Sequence, residues 1–127
     1  MRGVAALIGA IALAPPAAGA QEQSICRFQT ICTDKAPCEA AEPGAAIQLR
    51  TTGDNTAEIT IEDKSVSALR AETPNVDPVT YFAAEPDTSG ALMLSVFEDG
   101  TGIASLHGDL FGPFAVTMFG TCSEAAQ

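Results

Sequence analysis

The chain has 127 residues, of which 6 are basic and 16 acidic, with 4 cysteines, 1 histidine and no tryptophan. That length supports one domain, and a formal charge of −10 repels nucleic-acid phosphates and anionic lipid headgroups alike, which excludes nucleic acid as a partner. So much acid reads as a solvated surface suited to salty surroundings rather than as a dedicated cation site.

Arg2 is followed by an uncharged apolar stretch from Val4 to Ala14, then Pro15-Pro16, then Ala18-Gly19-Ala20 ahead of the polar Gln21-Glu22-Gln23. A charged start, a short apolar core and a small-residue end are the three parts of a cleavable signal peptide, here residues 1–20. The apolar run is about half of the roughly 20 residues that cross a bilayer, and two prolines interrupt its helix. The expectation is an exported protein, periplasmic or extracellular, starting near Gln21 and not inserted in a membrane once the signal is removed. A lipid on Cys26 is not expected, because Ile25 puts a bulky side chain where a lipoprotein signal needs a small one. With Arg2 gone, five basic against sixteen acidic residues leave a mature charge of −11.

Cys26, Cys32, Cys38 and Cys122 all lie in the mature part, an even number in a chain that meets an oxidising compartment. Two disulfides are expected. Three pairings are open, of which Cys32 with Cys38 as a local loop and Cys26 with Cys122 joining the two ends is preferred.

Residues 21–46 carry the first three cysteines, two prolines and little apolar periodicity, and read as a disulfide-tied, irregular lead-in. The β domain is placed at 47–122. Ile47, Leu49 and Thr51 alternate with Gln48 and Arg50; Gly53-Asp54-Asn55 supplies turn chemistry; Ile59 and Ile61 then alternate with Glu58, Thr60 and Glu62. Lys64 to Ala71 fits a helical turn as well as a strand and is left unassigned, and Thr73-Pro74 to Asp77-Pro78 reads as a loop. Val79 to Ala83 has strand composition, Glu85 to Gly90 breaks it, and Ala91 to Phe97 sets Leu92, Leu94 and Val96 on one face. Asp99-Gly100 tolerates the positive φ of a tight turn, with a partner strand from Gly102 to His107. After Gly112-Pro113, Phe114, Val116 and Met118 form a last strand that ends at Gly120-Thr121-Cys122, leaving 123–127 as a tail. Every long apolar pattern has period two. The fold class is therefore all-β: about six antiparallel strands in a single sheet, a small sandwich or a partly closed barrel, tied by two disulfides.

Cys26, Cys32 and Cys38 at a spacing of five intervening residues, the Asp99-Gly100 hairpin, His107 and the terminal Gly120-Thr121-Cys122 together resemble a group of small, uncharacterised exported bacterial proteins. The resemblance spans most of the mature chain and implies a periplasmic address and paired cysteines. It brings no activity with it.

No metal is expected at the cysteines, since structural zinc favours pairs two to four residues apart and the one histidine is distant. No cofactor is expected either, because neither a Cys-x-x-Cys redox pair nor a haem-attachment motif is present. Ser105 and His107 share a strand face and invite a reading as nucleophile and base, with Asp109 or Asp99 as orienter. Against it stands the absence of a Gly-x-Ser-x-Gly turn or a neighbouring oxyanion hole. Asp87-Thr88-Ser89-Gly90 departs from the Asp-Thr-Gly of aspartic proteases by the inserted Ser89. The scattered acids follow no calcium-loop spacing. A lone Tyr81 and the lack of tryptophan argue against a carbohydrate platform.

The unusual feature is Leu110-Phe111-Gly112-Pro113-Phe114, three large apolar side chains around a Gly-Pro break where loops are ordinarily polar. Leu110, Phe111 and Phe114 are either an exposed anchor for a partner or a plug for one end of the sheet. The leading functional expectation is a non-catalytic exported binding or inhibitory module of the cell envelope, its partner an envelope protein or a small ligand. The alternatives are a small hydrolase using Ser105 and His107, or a purely structural or accessory envelope protein.

Overall fold

The computed structural model of the protein describes residues 22–71, 77–85, 90–109 and 111–124. Residues 1–20, expected to be a signal peptide, Leu110 and most of the Asp87-Thr88-Ser89-Gly90 motif lie outside the described residues. Nine strands are present among those described: β1 Gln23–Thr33, β2 Ala36–Ala40, β3 Ala46–Thr51, β4 Thr56–Ile61, β5 Lys64–Arg70, β6 Val79–Glu85, β7 Gly90–Val96, β8 Thr101–Asp109 and β9 Pro113–Glu124. From β3 to β9 each pairs antiparallel with the next, and β1 pairs with both β3 and β9, so eight strands close into a barrel. β2 turns back on the second half of β1, matching Thr30 with Ala40.

Alternation decides which side chains fill the barrel. In β4, Ala57 and Ile59 are buried while Glu58 between them is not; in β7, Leu92 and Leu94 are buried while Ala91 and Met93 face out. Ile47, Ile59, Leu94 and Cys26 are the largest fully enclosed side chains, each of the three aliphatic ones contributing about 1.5–3 kcal/mol by leaving water. Ala57, Ala68, Ala83 and Ala104 complete the interior at low volume, which is how an eight-stranded barrel fits side chains rather than a channel.

Three sequence expectations are corrected. The barrel is closed rather than partly open, and it has more strands than six, because β1, β2 and β5 join those read from the periodicity. Residues 21–46, expected to be irregular, hold β1 and β2. β9 runs to Glu124, two residues into the expected tail.

The closure between β1 and β9 is specific. Cys26 stands directly opposite Cys122 across this pair, and their disulfide joins the first strand to the last. Its sulfur lies where a Cβ on Gly102 would sit, so the bridge occupies space that only glycine leaves open. A bulge at Gln29 shifts the register, and at that point the backbone of Arg27 and Phe28 runs over Gly120 where a side chain would begin. The second disulfide, Cys32 with Cys38, clips β1 to β2, and no cysteine is free. The β1–β2 turn is tied in turn to β9: the Asp34 N–H donates to the Ala115 carbonyl and the Ala115 N–H to Asp34 Oδ1.

Between β7 and β8, Gly100 takes φ +94° and its N–H donates to the Phe97 carbonyl, while the Thr101 N–H donates to Asp99 Oδ1 at 2.8 Å. Hydrogen bonds from Thr101, first its backbone N–H and then its side chain, favour the charged carboxylate and lower the Asp99 pKa below its ordinary value. A depressed carboxylate pKa means stability that is present above the ordinary value and lost as pH falls through the folded one. Asp99→Ala should therefore melt below the wild type at neutral pH, with the gap closing in acid. Melting curves across that range check it, and a gap independent of pH would deny the carboxylate its role.

Candidate functional site

Small barrels present ligands and partners at an open end, where the loops that join the strands gather. One end carries the β4–β5 turn, the β8–β9 hairpin, the β1–β2 hairpin and the segment from Glu42 to Ala45. β1, β8 and β9 are the longest strands and extend the wall on this side.

The β8–β9 hairpin brings Phe111 and Phe114 to that end and then separates them. Phe111 sits at φ +57°, beside Gly112 at φ +122°, and its side chain is 103% exposed, a fully solvated phenyl ring. The turn is held by the Gly112 N–H donating to Asp109 Oδ1 at 3.1 Å. Phe114 instead lies across the hairpin from Gly108, with which it is paired, and its ring covers the glycine where a Cβ would be only 2.7 Å away. An aromatic side chain laid over a cross-strand glycine restores the apolar contact that glycine lacks. One phenylalanine is thus exposed and the other folded back.

Inside the rim, Ile61, Val66, Leu92 and Leu106 line an apolar pocket of about 190 Å³, with Glu62 and Lys64 at its edge. A neighbouring groove of about 410 Å³ runs between the Glu42–Ala45 segment and Phe28, Ile47, Ile61 and Met118. Glu62 takes φ +58° in the β4–β5 turn, which brings the carboxylate-bearing residue to the edge of both spaces. The described register between β5 and β6 has two pairs, Leu69 with Phe82 and Arg70 with Tyr81, both toward the opposite end.

The hydrolase candidates are not assembled into a catalytic group. Ser105 and His107 share the outer face of β8, as read from the alternation, and the Ser105 hydroxyl is 3.5 Å from that of Thr117. His107 is exposed and paired with Ala91 and Ala115. The pocket lies on the other face, where Leu106 points. Asp99 and Asp109, the suggested orienters, bond to the backbone of their own turns. The Tyr81 phenol is raised by burial, partly offset by the Arg70 charge. Among the described residues no three His, Cys, Asp or Glu side chains are grouped to hold a metal ion. The feature that reading by residue missed is the mouth itself, whose lining residues come from strands far apart in sequence; the two disulfides accord with an oxidising compartment.

No family model, no curated protein and no solved structure matches this chain.

Proposed function

We propose that the protein is a non-catalytic exported binding or inhibitory module, delivered to the periplasm or outside the cell by residues 1–20, that grips a partner protein of the cell envelope with the tip of the β8–β9 hairpin. The observation that carries this reading is Phe111. A bulky residue at left-handed φ costs about 1–2 kcal/mol relative to the ordinary region, and a phenyl ring in full contact with water recovers nothing from burial. Both costs disappear from the free protein with glycine or asparagine at that position, so folding alone gives no reason for phenylalanine there. A partner that buries the ring does. Aromatic anchors of this kind contribute a large share of binding energy once they are desolvated in a cleft.

Phe114 has a different task, as the brace that holds the hairpin against its own glycine. Phe111→Ser should leave the melting temperature within a degree or two of wild type. Phe114→Ser removes a half-buried ring and should cost about 2 kcal/mol, or about 10 °C in a domain of this size. Capture from envelope extract by the immobilised mature domain then tests the function: a partner retained by wild type and lost with the well-folded Phe111→Ser variant supports it. Identical capture by both proteins, or a collapse in the melting temperature of Phe111→Ser, would remove Phe111 as the anchor.

A further inference from the structure

The inward side chains lose cover toward the mouth. One inward step along β4, from Ile59 to Ile61, along β5, from Ala68 to Val66, and along β8, from Ala104 to Leu106, passes each time from a buried side chain to a partly buried one. Alternation turns these residues toward the interior, so what they leave uncovered borders space within the barrel, the pocket of about 190 Å³ that they line together with Leu92. Eight strands enclose an interior that side chains fill or that holds one small ligand. Here Leu49, Ile59 and Leu94 fill the middle, and the mouth keeps room. Its described walls are aliphatic, with charge only at the edge, which suits a saturated hydrocarbon chain. An apolar cavity of about 150 Å³ stays dry and takes benzene, so about 190 Å³ takes a chain of about six carbons.

The lip of the pocket says which chain. Ile61 pairs with Lys64, so only Glu62 and Asp63 join β4 to β5. Glu62 takes φ +58° in that turn, a conformation that suits glycine or asparagine. Glycine would make the turn with less strain. What glutamate adds is a carboxylate, on a residue that lines both the pocket and the adjoining groove, where Glu42 lies on the facing segment. Lys64 shares the edge with Glu62, and the two neighbouring turns carry Asp34 with Lys35, and Asp109. Carboxylates outnumber ammonium groups among these residues, and a negative field concentrates cations and turns fatty-acid anions away. We infer that the mouth binds a short aliphatic chain ending in an ammonium group, with the chain among Ile61, Val66, Leu92 and Leu106 and the head at Glu62, in the groove that Glu42 also lines. This small-molecule site goes beyond the grip of the hairpin tip on a partner protein and does not depend on it.

The experiment is a titration of the purified mature protein with hexylammonium chloride, followed through its methyl resonances by NMR, with hexanoate and 1-hexanol as the anionic and neutral chains of the same carbon count. The expected result is saturable one-to-one binding that shifts the methyl signals of Ile61, Val66, Leu92 and Leu106. Hexylammonium should bind at least about fivefold more tightly than hexanoate, and salt should narrow that gap. Glu62→Gln should weaken hexylammonium at least about threefold and leave 1-hexanol unchanged, a split that a merely structural role of Glu62 does not produce. Val66→Phe fills the pocket and should weaken binding of hexylammonium and of 1-hexanol at least about tenfold, and Leu106→Phe is the second variant should the first fail to fold. Phe111→Ser should bind hexylammonium as wild type does, which keeps this result separate from the partner-binding reading. Absence of saturable binding, a hexanoate affinity equal to or above that of hexylammonium, or binding indifferent to both Val66→Phe and Leu106→Phe would each overturn the assignment.

Discussion

Gly120→Ala is expected to unfold or open the barrel, at a cost of about 3 kcal/mol or more. The ideal Cβ at this position falls on the carbonyl oxygen and carbon of Arg27 and on the Cα of Phe28, all of them backbone. A side chain in the way could rotate; a strand must move. The strand concerned is β1, at the bulge where it meets β9, so relief of the clash separates the two strands whose pairing closes the cylinder. Ordinary overpacking costs about 1–3 kcal/mol when neighbours can adjust, and a backbone contact puts this case at or above the top of that range. Gly108→Ala is the control, since the obstacle there is the ring of Phe114 and not backbone. Thermal unfolding of the two variants gives the comparison: a large loss for Gly120→Ala and a smaller one for Gly108→Ala. Equal and small losses would mean that the closing seam is loose.

The second large effect belongs to the bridge between Cys26 and Cys122, 96 positions apart. In the chain-entropy description a cross-link over about 100 residues restricts the unfolded ensemble by about 4.7 kcal/mol, whereas one over about seven, as for Cys32 with Cys38, contributes about 2.4 kcal/mol. Cys26 is also wholly buried, so Cys26→Ala with Cys122→Ala leaves a defect in the core beside Gly102 as well as a freer unfolded chain. For a domain whose net stability is of order 5–15 kcal/mol, that pair of substitutions should bring the unfolding midpoint close to ambient temperature. Cys32→Ala with Cys38→Ala should remain folded at room temperature. Denaturant titration of both double variants checks the order, and the reverse order would show that the β1–β2 clip, not the end-to-end bridge, is what the fold depends on.

Six of the nine strands were legible from period-two alternation, and the reasons the others were not are local and physical. In β1 the inward residues are Cys26 and Phe28, and then, past the bulge, Ile31; one inserted residue breaks the period that marks a strand. β2 is exposed along its whole length, so no alternation exists to be read. In β5 the pattern is inverted in strength: the small Ala68 points in and the large Leu69 points out. Closure is a non-local property, yet one sequence feature bears on it. A bond between Cys26 and Cys122 brings the first and last strands close together, which fits a closed barrel and equally a sandwich bridged between its sheets, and only the β1–β9 register tells the two apart. The Phe111-Gly112-Pro113-Phe114 pattern marked the β8–β9 hairpin as a candidate but could not separate the two rings, because what distinguishes them is the cross-strand partner Gly108, visible only once the register is known.

The pairing of β1 with β9 also governs when folding can finish. Most ladders here join neighbours in the chain and form locally, but the closing one must wait for the last strand, since its partner is the first. Until Pro113–Glu124 is available, β1 keeps an open edge, the interior that Phe28 and Cys26 occupy is unsealed, and the long disulfide has no second sulfur. Contacts at such sequence separation carry their loop-closure entropy before they return any stability, which makes their formation the slow event. An incomplete chain is therefore one without a closed core, its final state withheld until the last strand arrives.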